Sequence, residues 1–199
     1  MPNDQITRLR RALAGAGAPS SDFDLNPDYR PPKERKLRAA GVLCAFTHSE
    51  DGLGLILTRR SSRLKHHPGQ IAFPGGKVDP TDADETAAAL REAHEEVGLD
   101  PAQVEILGTL PAHETVTGFV VVPVVGLVHG GFQPLPEPGE VDEVFNVPFA
   151  HVTDSARFSV QYLRWRGQRR HYYTAPFGPY YIWGATARIL RGLAARMGS

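Results

Sequence analysis

Arg91, Glu92, Glu95 and Glu96 fall within six residues of what reads as one helix, just after the glycine-rich turn Phe73-Pro74-Gly75-Gly76. At about 3.6 residues per turn the three glutamates stand at i, i+3 and i+4, so their carboxylates crowd one helix face. Like charges at that spacing destabilise a helix unless something positive sits between them. A hard divalent cation answers the problem: Mg²⁺ accepts one or two carboxylates, keeps several waters and completes its shell with phosphate oxygens. Such an ion orients a phosphoanhydride, neutralises charge developing on it and helps to generate the attacking hydroxide. The bland alternative for the same residues is a solvated acidic face.

The whole string from Phe73 to Leu99 resembles the Nudix box: Gly, five residues, Glu, seven residues, then Arg-Glu-aliphatic-x-Glu-Glu-x-Gly-aliphatic. Its second half matches from Arg91 to Leu99, with Ala93 in the aliphatic slot. The first half departs from the pattern. Five residues after Gly76 comes Asp82, whereas seven back from Arg91 is Ala83, so there is one residue too many and no Glu at either place. Asp82 with Glu85 fits an N-cap and its N3 partner, which predicts a helix over roughly Ala83 to Val97 with the extra residue absorbed in the preceding loop.

Upstream, Leu55 to Thr58 is an apolar run that leads into a loop carrying Arg59, Arg60, Arg63, Lys65, His66 and His67 before Gly69 returns the chain to Phe73. This segment resembles the signature of Nudix coenzyme A pyrophosphatases, and Thr58, Arg60, Ser61, Gly69 and Phe73 to Gly76 fall on it. Lys65 stands where the signature has its second Arg, keeping the charge but losing the planar fork that grips a phosphate bidentately. Weaker likeness extends to Gly118–Val125, Glu140–Pro148 and Ile182–Ala187, so the resemblance spans about residues 38 to 195.

The resemblance implies an α/β fold, the Nudix α/β/α sandwich with a mixed β-sheet. It implies a metal-dependent pyrophosphohydrolase that cleaves coenzyme A or its derivatives to 3′,5′-ADP and 4′-phosphopantetheine. Glu92 and Glu96 would hold Mg²⁺ or Mn²⁺ with Glu95 and the Gly76 carbonyl assisting, and Arg91 would orient the glutamates. Arg60, Arg63, Lys65, Gly69 and Phe73 are expected to bind substrate, the cationic three among them as readers of a 3′-phosphate. Glu114, Glu140 and Glu143 are further candidates for a ligand or a base. Two rivals stand beside this reading: a Nudix enzyme for another nucleoside diphosphate derivative, such as ADP-ribose, NADH or a damaged nucleotide, and a catalytically silent ligand-binding module.

With 199 residues, 41% hydrophobic and 22% charged, the chain suits one globular domain with a substantial core. Net charge is zero, which argues against generic binding of nucleic acid or membranes. The charges are sorted, however. Residues 1–70 carry 12 basic against 7 acidic groups, residues 71–150 carry 2 against 14, and residues 151–199 carry 8 against 1. An acidic centre between basic flanks suits a cation site approached by a polyanion. The single cysteine, Cys44, lies in an apolar run and reads as a buried thiol. With no apolar leader and no apolar stretch long enough to span a bilayer, a cytoplasmic protein is expected. No serine-hydrolase elbow, dinucleotide fingerprint or zinc spacing is present. The expected partner is a small molecule, and a homodimer is compatible with the sequence.

Residues 1–37 read as a leading helix from Asp4 to Ala14 and a proline-bearing linker, of which residues 1–32 are expected to be dispensable for chemistry; residues 38–199 read as the Nudix domain. Ala39–Thr47 and Leu53–Thr58 are predicted to form a hairpin. Further strands are expected at Val104–Leu110, Phe119–Val128, Val141–Phe145, Phe158–Trp165 and Arg170–Thr174. A short helix follows Pro148, and a last one spans Ala185–Ala195 with Ile189, Leu190 and Leu193 as its apolar stripe.

Overall fold

The computed structural model describes residues 1–29, 34–49, 51–165 and 167–198, with Trp165 by its backbone alone. The end of the expected linker, residues 30–33, and Glu50 of the hairpin turn lie outside them. In chain order the elements are α1 (Pro2–Ala14), β1 (Ser20–Ser21), β2 (Arg38–Ser49), β3 (Gly52–Arg60), β4 (Ile71–Ala72), β5 (Gly75–Lys77) and α2 (Glu85–Val97). There follow β6 (Val104–Thr109), β7 (His113–Glu114), β8 (Phe119–Val128), β9 (Val141–Pro148), α3 (Phe149–Thr153), β10 (Ser159–Trp165), β11 (Gln168–Thr174) and α4 (Gly184–Met197).

Among the described residues nine strands make one mixed sheet: six lie in the order β1-β7-β8-β2-β3-β4, while β5 pairs with β2, β6 with β8 and β9 with β3. At its centre β2 runs parallel to β8, from Arg38 opposite Phe119 to Phe46 opposite Leu127, and antiparallel to β3. The alternation of side chains along these strands sorts the core into two layers. Leu43, Ala45, Ile56, Val124 and Val128 pack with Ala89, Ala93 and Val97 of α2. The intervening residues, among them Cys44, Phe46, Leu55, Leu57 and Val125, pack with Leu9 of α1, Phe149 and Val152 of α3, and Leu190 and Leu193 of α4. Helices therefore cover both faces, as the α/β/α expectation required. β10 and β11 form a separate two-stranded ribbon.

The expected strands and helices are present to within a few residues. β1, β5 and β7 are additions, each two or three residues long and without apolar alternation. The amino-terminal segment is tied down: Leu9 is fully buried, β1 pairs with β7, and the Gln5 Oε1 accepts a hydrogen bond from Leu53 N–H at 2.7 Å. Among the described residues no helix is long and apolar enough to cross a membrane.

Candidate active site

The site is built where α2 crosses the start of β2. Asp84 caps α2, its Oδ1 accepting from Ala87 N–H at 2.8 Å, and Gly98 ends the helix in the left-handed region with φ 72°. The expected cap, Asp82, is thus corrected to Asp84, and the extra residue lies in the loop before it. Gly41 lets the helix seat closely on β2, since a Cβ there would lie 1.9 Å from the Glu85 carbonyl oxygen. β5 pairs with β2 at Ala40–Val42, which holds the glycine turn against the same strand.

Released from capping, Asp82 has another task. Arg91 donates to it in a fork, Nε to Oδ1 at 3.0 Å and Nη2 to Oδ2 at 2.9 Å. The same guanidinium donates through Nη1 to Glu92 at 3.1 Å and Glu95 at 3.0 Å, and through Nη2 to the Lys77 carbonyl at 3.2 Å. Arg91 is therefore the positive group that the crowded carboxylates need. Its hydrogen bond to Asp82, ahead of its contact with Glu92, holds its pKa above the usual guanidinium range, and the same bond lowers that of Asp82.

Glu96 lies deeper. It is buried, 5% exposed, and its Oε2 accepts from Gly75 N–H at 3.2 Å. Burial pushes its pKa up to about 7; the Gly75 N–H and Arg60 pull it back only partly, while Glu92 and Glu140 add to the rise. Burial likewise raises Glu92, against the opposing pull of Arg91. Glu95 is more than half exposed, reaching Arg91 from the rim.

β3 delivers the cationic residues. Its register with β9 shifts by one residue between Arg59 and Arg60, leaving Asp142 unpaired, and the two adjacent side chains, on opposite faces of the strand, have different partners. Arg59 meets Glu143 at 3.3 Å, and Arg60 Nη1 comes to 3.8 Å from Glu96 Oε1. The loop beyond is closed at its neck, where Gly69 N–H donates to the Arg60 carbonyl and Arg60 N–H to the Gln70 carbonyl, each at 3.0 Å. Gly69 has φ +69° with open space around it, so glycine serves conformation there. Arg63 and Lys65 are exposed on the loop.

Phe73, only 4% exposed, packs into the core beneath the glycine turn. Of the three further carboxylates, Glu114 pairs with Arg35, and Glu143 accepts from Tyr180 OH at 2.6 Å and forms an ion pair with Arg59. Glu140 alone of the three is felt electrostatically by both Glu92 and Glu96.

A NUDIX domain matches residues 36–166. The chain belongs to the Nudix family. It is 44% identical over 161 residues to the uncharacterized Nudix hydrolase NudL of Enterobacter sp. (strain 638), covering 81% of this chain and 83% of that one. Against NudL of Escherichia coli (strain K12) the identity is 43% over 145 residues, 73% of this chain and 76% of the relative. The fold is shared with a MutT/nudix family protein from Enterococcus faecalis, at a TM-score of 0.51 and 18% identity over 86% of this chain and 66% of that one.

As a Nudix hydrolase the protein cleaves pyrophosphate bonds in nucleoside diphosphate derivatives, chemistry for which this family uses a divalent cation. The donor set fits such an ion. Glu92 and Glu96 present two carboxylates whose charged forms burial disfavours, a cost that a bound cation offsets. Gly76 keeps the space beside them clear, because a Cβ there would come within 2.4 Å of the Glu92 carboxylate. Among the described residues no three His, Cys, Asp or Glu side chains converge into a closed metal cage. Two carboxylates with backbone, water and substrate oxygens is the coordination a Mg²⁺-type ion takes.

The Asp82–Arg91 fork is the main feature that sequence reasoning missed. Its only signal was an aspartate at the acidic position of the box, displaced by one residue.

Proposed function

We propose that this Nudix hydrolase cleaves coenzyme A or its derivatives at the phosphoanhydride, giving 3′,5′-ADP and 4′-phosphopantetheine, or its acyl form. The observation that carries the reading is the approach of Arg60, the arginine of the coenzyme A-type segment, to 3.8 Å from the buried Glu96. Glu92 and Glu96 hold Mg²⁺ or Mn²⁺, with Glu95 and the Gly76 carbonyl in support. When bound, the cation supplies charge neutralisation on the diphosphate and an acidified water. Arg91 keeps the glutamates in place through Asp82. Arg60 faces the scissile diphosphate, with Arg63 and Lys65 on the loop as further phosphate contacts and Gly69 setting the loop's return.

The same reading takes the Nudix module as residues 38–199, with residues 1–37 folded onto it. It assigns the protein to the cytoplasm, acting on a small molecule and compatible with a homodimer. Product formation from a panel of coenzyme A, acetyl-coenzyme A, NADH, ADP-ribose and nucleoside triphosphates, with Mg²⁺ and with Mn²⁺, tests it. Coenzyme A is expected to have the highest kcat/KM; a clear preference for ADP-ribose or NADH overturns the substrate assignment.

A further inference from the structure

Beyond the carboxylates lies a second concave region, a cavity of about 560 Å³ between residues 21–29, the β10–β11 ribbon and the start of α4. Its walls join aromatic rings to arginines: Tyr29, Tyr172 and Trp183 with Arg170 and Arg188. Tyr172 and Trp183 meet edge to face at 5.1 Å. The cations are not neutralised alike. Arg170 lies 5.1 Å over the Tyr29 ring and 5.9 Å from that of Phe23, and among the described residues it has no carboxylate partner. Arg188 Nη2 donates to Asp24 at 2.8 Å, yet its Nε is buried with no hydrogen-bond acceptor. Asp22, also on the wall, is already engaged, its oxygens contacting His113 Nε2 at 3.1 Å and Val116 N–H at 2.8 Å.

A buried donor without an acceptor costs free energy, and so does a cation kept from a counterion; an anion entering the cavity relieves both. Flat aromatic walls take a purine ring, and arginine forks take a phosphate. The uncharged, flexible pantetheine arm would use neither arginine. His67, on the loop that follows Arg60 in the chain, also lines the cavity, and Arg60 itself comes to 3.8 Å from Glu96.

We propose that this cavity seats the 3′-phosphoadenosine end of the substrate, with Arg170 and Arg188 gripping the 3′-phosphate. The proposal rests on the coenzyme A reading above. Arg60, beside Glu96, then serves the scissile diphosphate, and the amino-terminal segment, expected to be dispensable, supplies a wall of the binding site.

The test uses the full chain and two readouts. Calorimetric binding of 3′,5′-ADP and of AMP is measured without turnover, and kcat and KM are measured for coenzyme A and dephospho-coenzyme A. The variants are Arg170→Ala, Arg188→Lys, Arg63→Ala and Lys65→Ala, with Tyr162→Ser, an exposed position on the ribbon outside the cavity, as a folding control. Loss of one or two charge-assisted hydrogen bonds predicts about 10- to 100-fold weaker 3′,5′-ADP binding in Arg170→Ala, a similar rise in KM for coenzyme A, and a smaller effect with AMP and dephospho-coenzyme A. Arg188→Lys keeps a charge for Asp24 but removes the Nε donor, and is expected to weaken 3′,5′-ADP by several-fold. Equal 3′,5′-ADP binding by wild type and Arg170→Ala, or loss of discrimination in Lys65→Ala and Arg63→Ala instead, overturns the proposal. Failure of the wild type to cleave coenzyme A overturns the underlying reading alone, because the binding measurement does not depend on turnover.

Discussion

The arginines of the glutamate site and of the aromatic cavity live in opposite circumstances. Arg91 spends its donors on Asp82, Glu92, Glu95 and the Lys77 carbonyl, so its site is complete before any ligand arrives. Arg170 lies over aromatic rings with no carboxylate partner among the described residues, and Arg188, though paired with Asp24, keeps its buried Nε donor unmet there. The contrast separates framework from recognition. Groups that satisfy one another fix geometry, and groups left unsatisfied inside a concavity hold binding energy for a partner.

The comparison can be broken first at Glu96. On the proposed reading Glu96→Gln removes a carboxylate that holds the cation, and it is expected to lower turnover by about 10²-fold or more with the fold intact. Near-normal rates at saturating metal would remove Glu96 from the machinery.

The metal-free protein supplies the next test. A carboxyl whose pKa rises from 4.5 unfolded to about 7 folded stabilises the native state most below pH 4.5, and that stability is lost as pH climbs through 7. The loss attributable to Glu96 is of order 3 kcal/mol. Denaturant unfolding in chelator should therefore show Glu96→Gln more stable than wild type at pH 8, with the gap closing near pH 5. A gap independent of pH would show that Glu96 is not held at this cost.

Arg91 sharpens the framework side. Arg91→Lys keeps the charge but cannot fork onto Asp82 while also reaching Glu92 and Glu95. Loss of such a supporting group costs about 10- to 100-fold in metal affinity or activity. A titration of activity against Mn²⁺ should show a raised metal requirement, and an unchanged curve would mean the glutamates position themselves. The smallest effect is expected at Gly69, where alanine meets no clash but must adopt φ near +69°. About 1 kcal/mol of destabilisation is expected, visible as a small shift of the thermal midpoint; the same substitution at Gly76, which drives a Cβ into Glu92, should harm activity far more than stability.

Much of the fold was legible because its central strands and long helices carry strong periodic signals. Phe119–Val128 was read to the residue, and α2 to within two, since an apolar run and a helix ending in Gly98 leave little freedom. The short strands β1, β5 and β7 were not legible. They are held by the backbone pairing of a neighbouring strand, which imposes no pattern on their own side chains. The burial of Phe73 was not legible either, because its place in a signature says nothing of whether the ring packs into the core.

The sequence by itself determined the chemistry available: three glutamates and an arginine at helical spacing, a glycine turn before them and a cationic loop feeding into it. Local spacing decides such matters because helix geometry places i, i+3 and i+4 together whatever the rest of the chain does. Only the tertiary structure decided which acid completes Arg91, that Glu96 is buried while Glu95 is exposed, and that Arg60 comes beside Glu96. It alone joined residues 21–29 to a ribbon and helix some 140 to 160 positions away to form one cavity. Those outcomes depend on desolvation and on contacts between segments distant in the chain, and neither is encoded in any window of neighbouring residues.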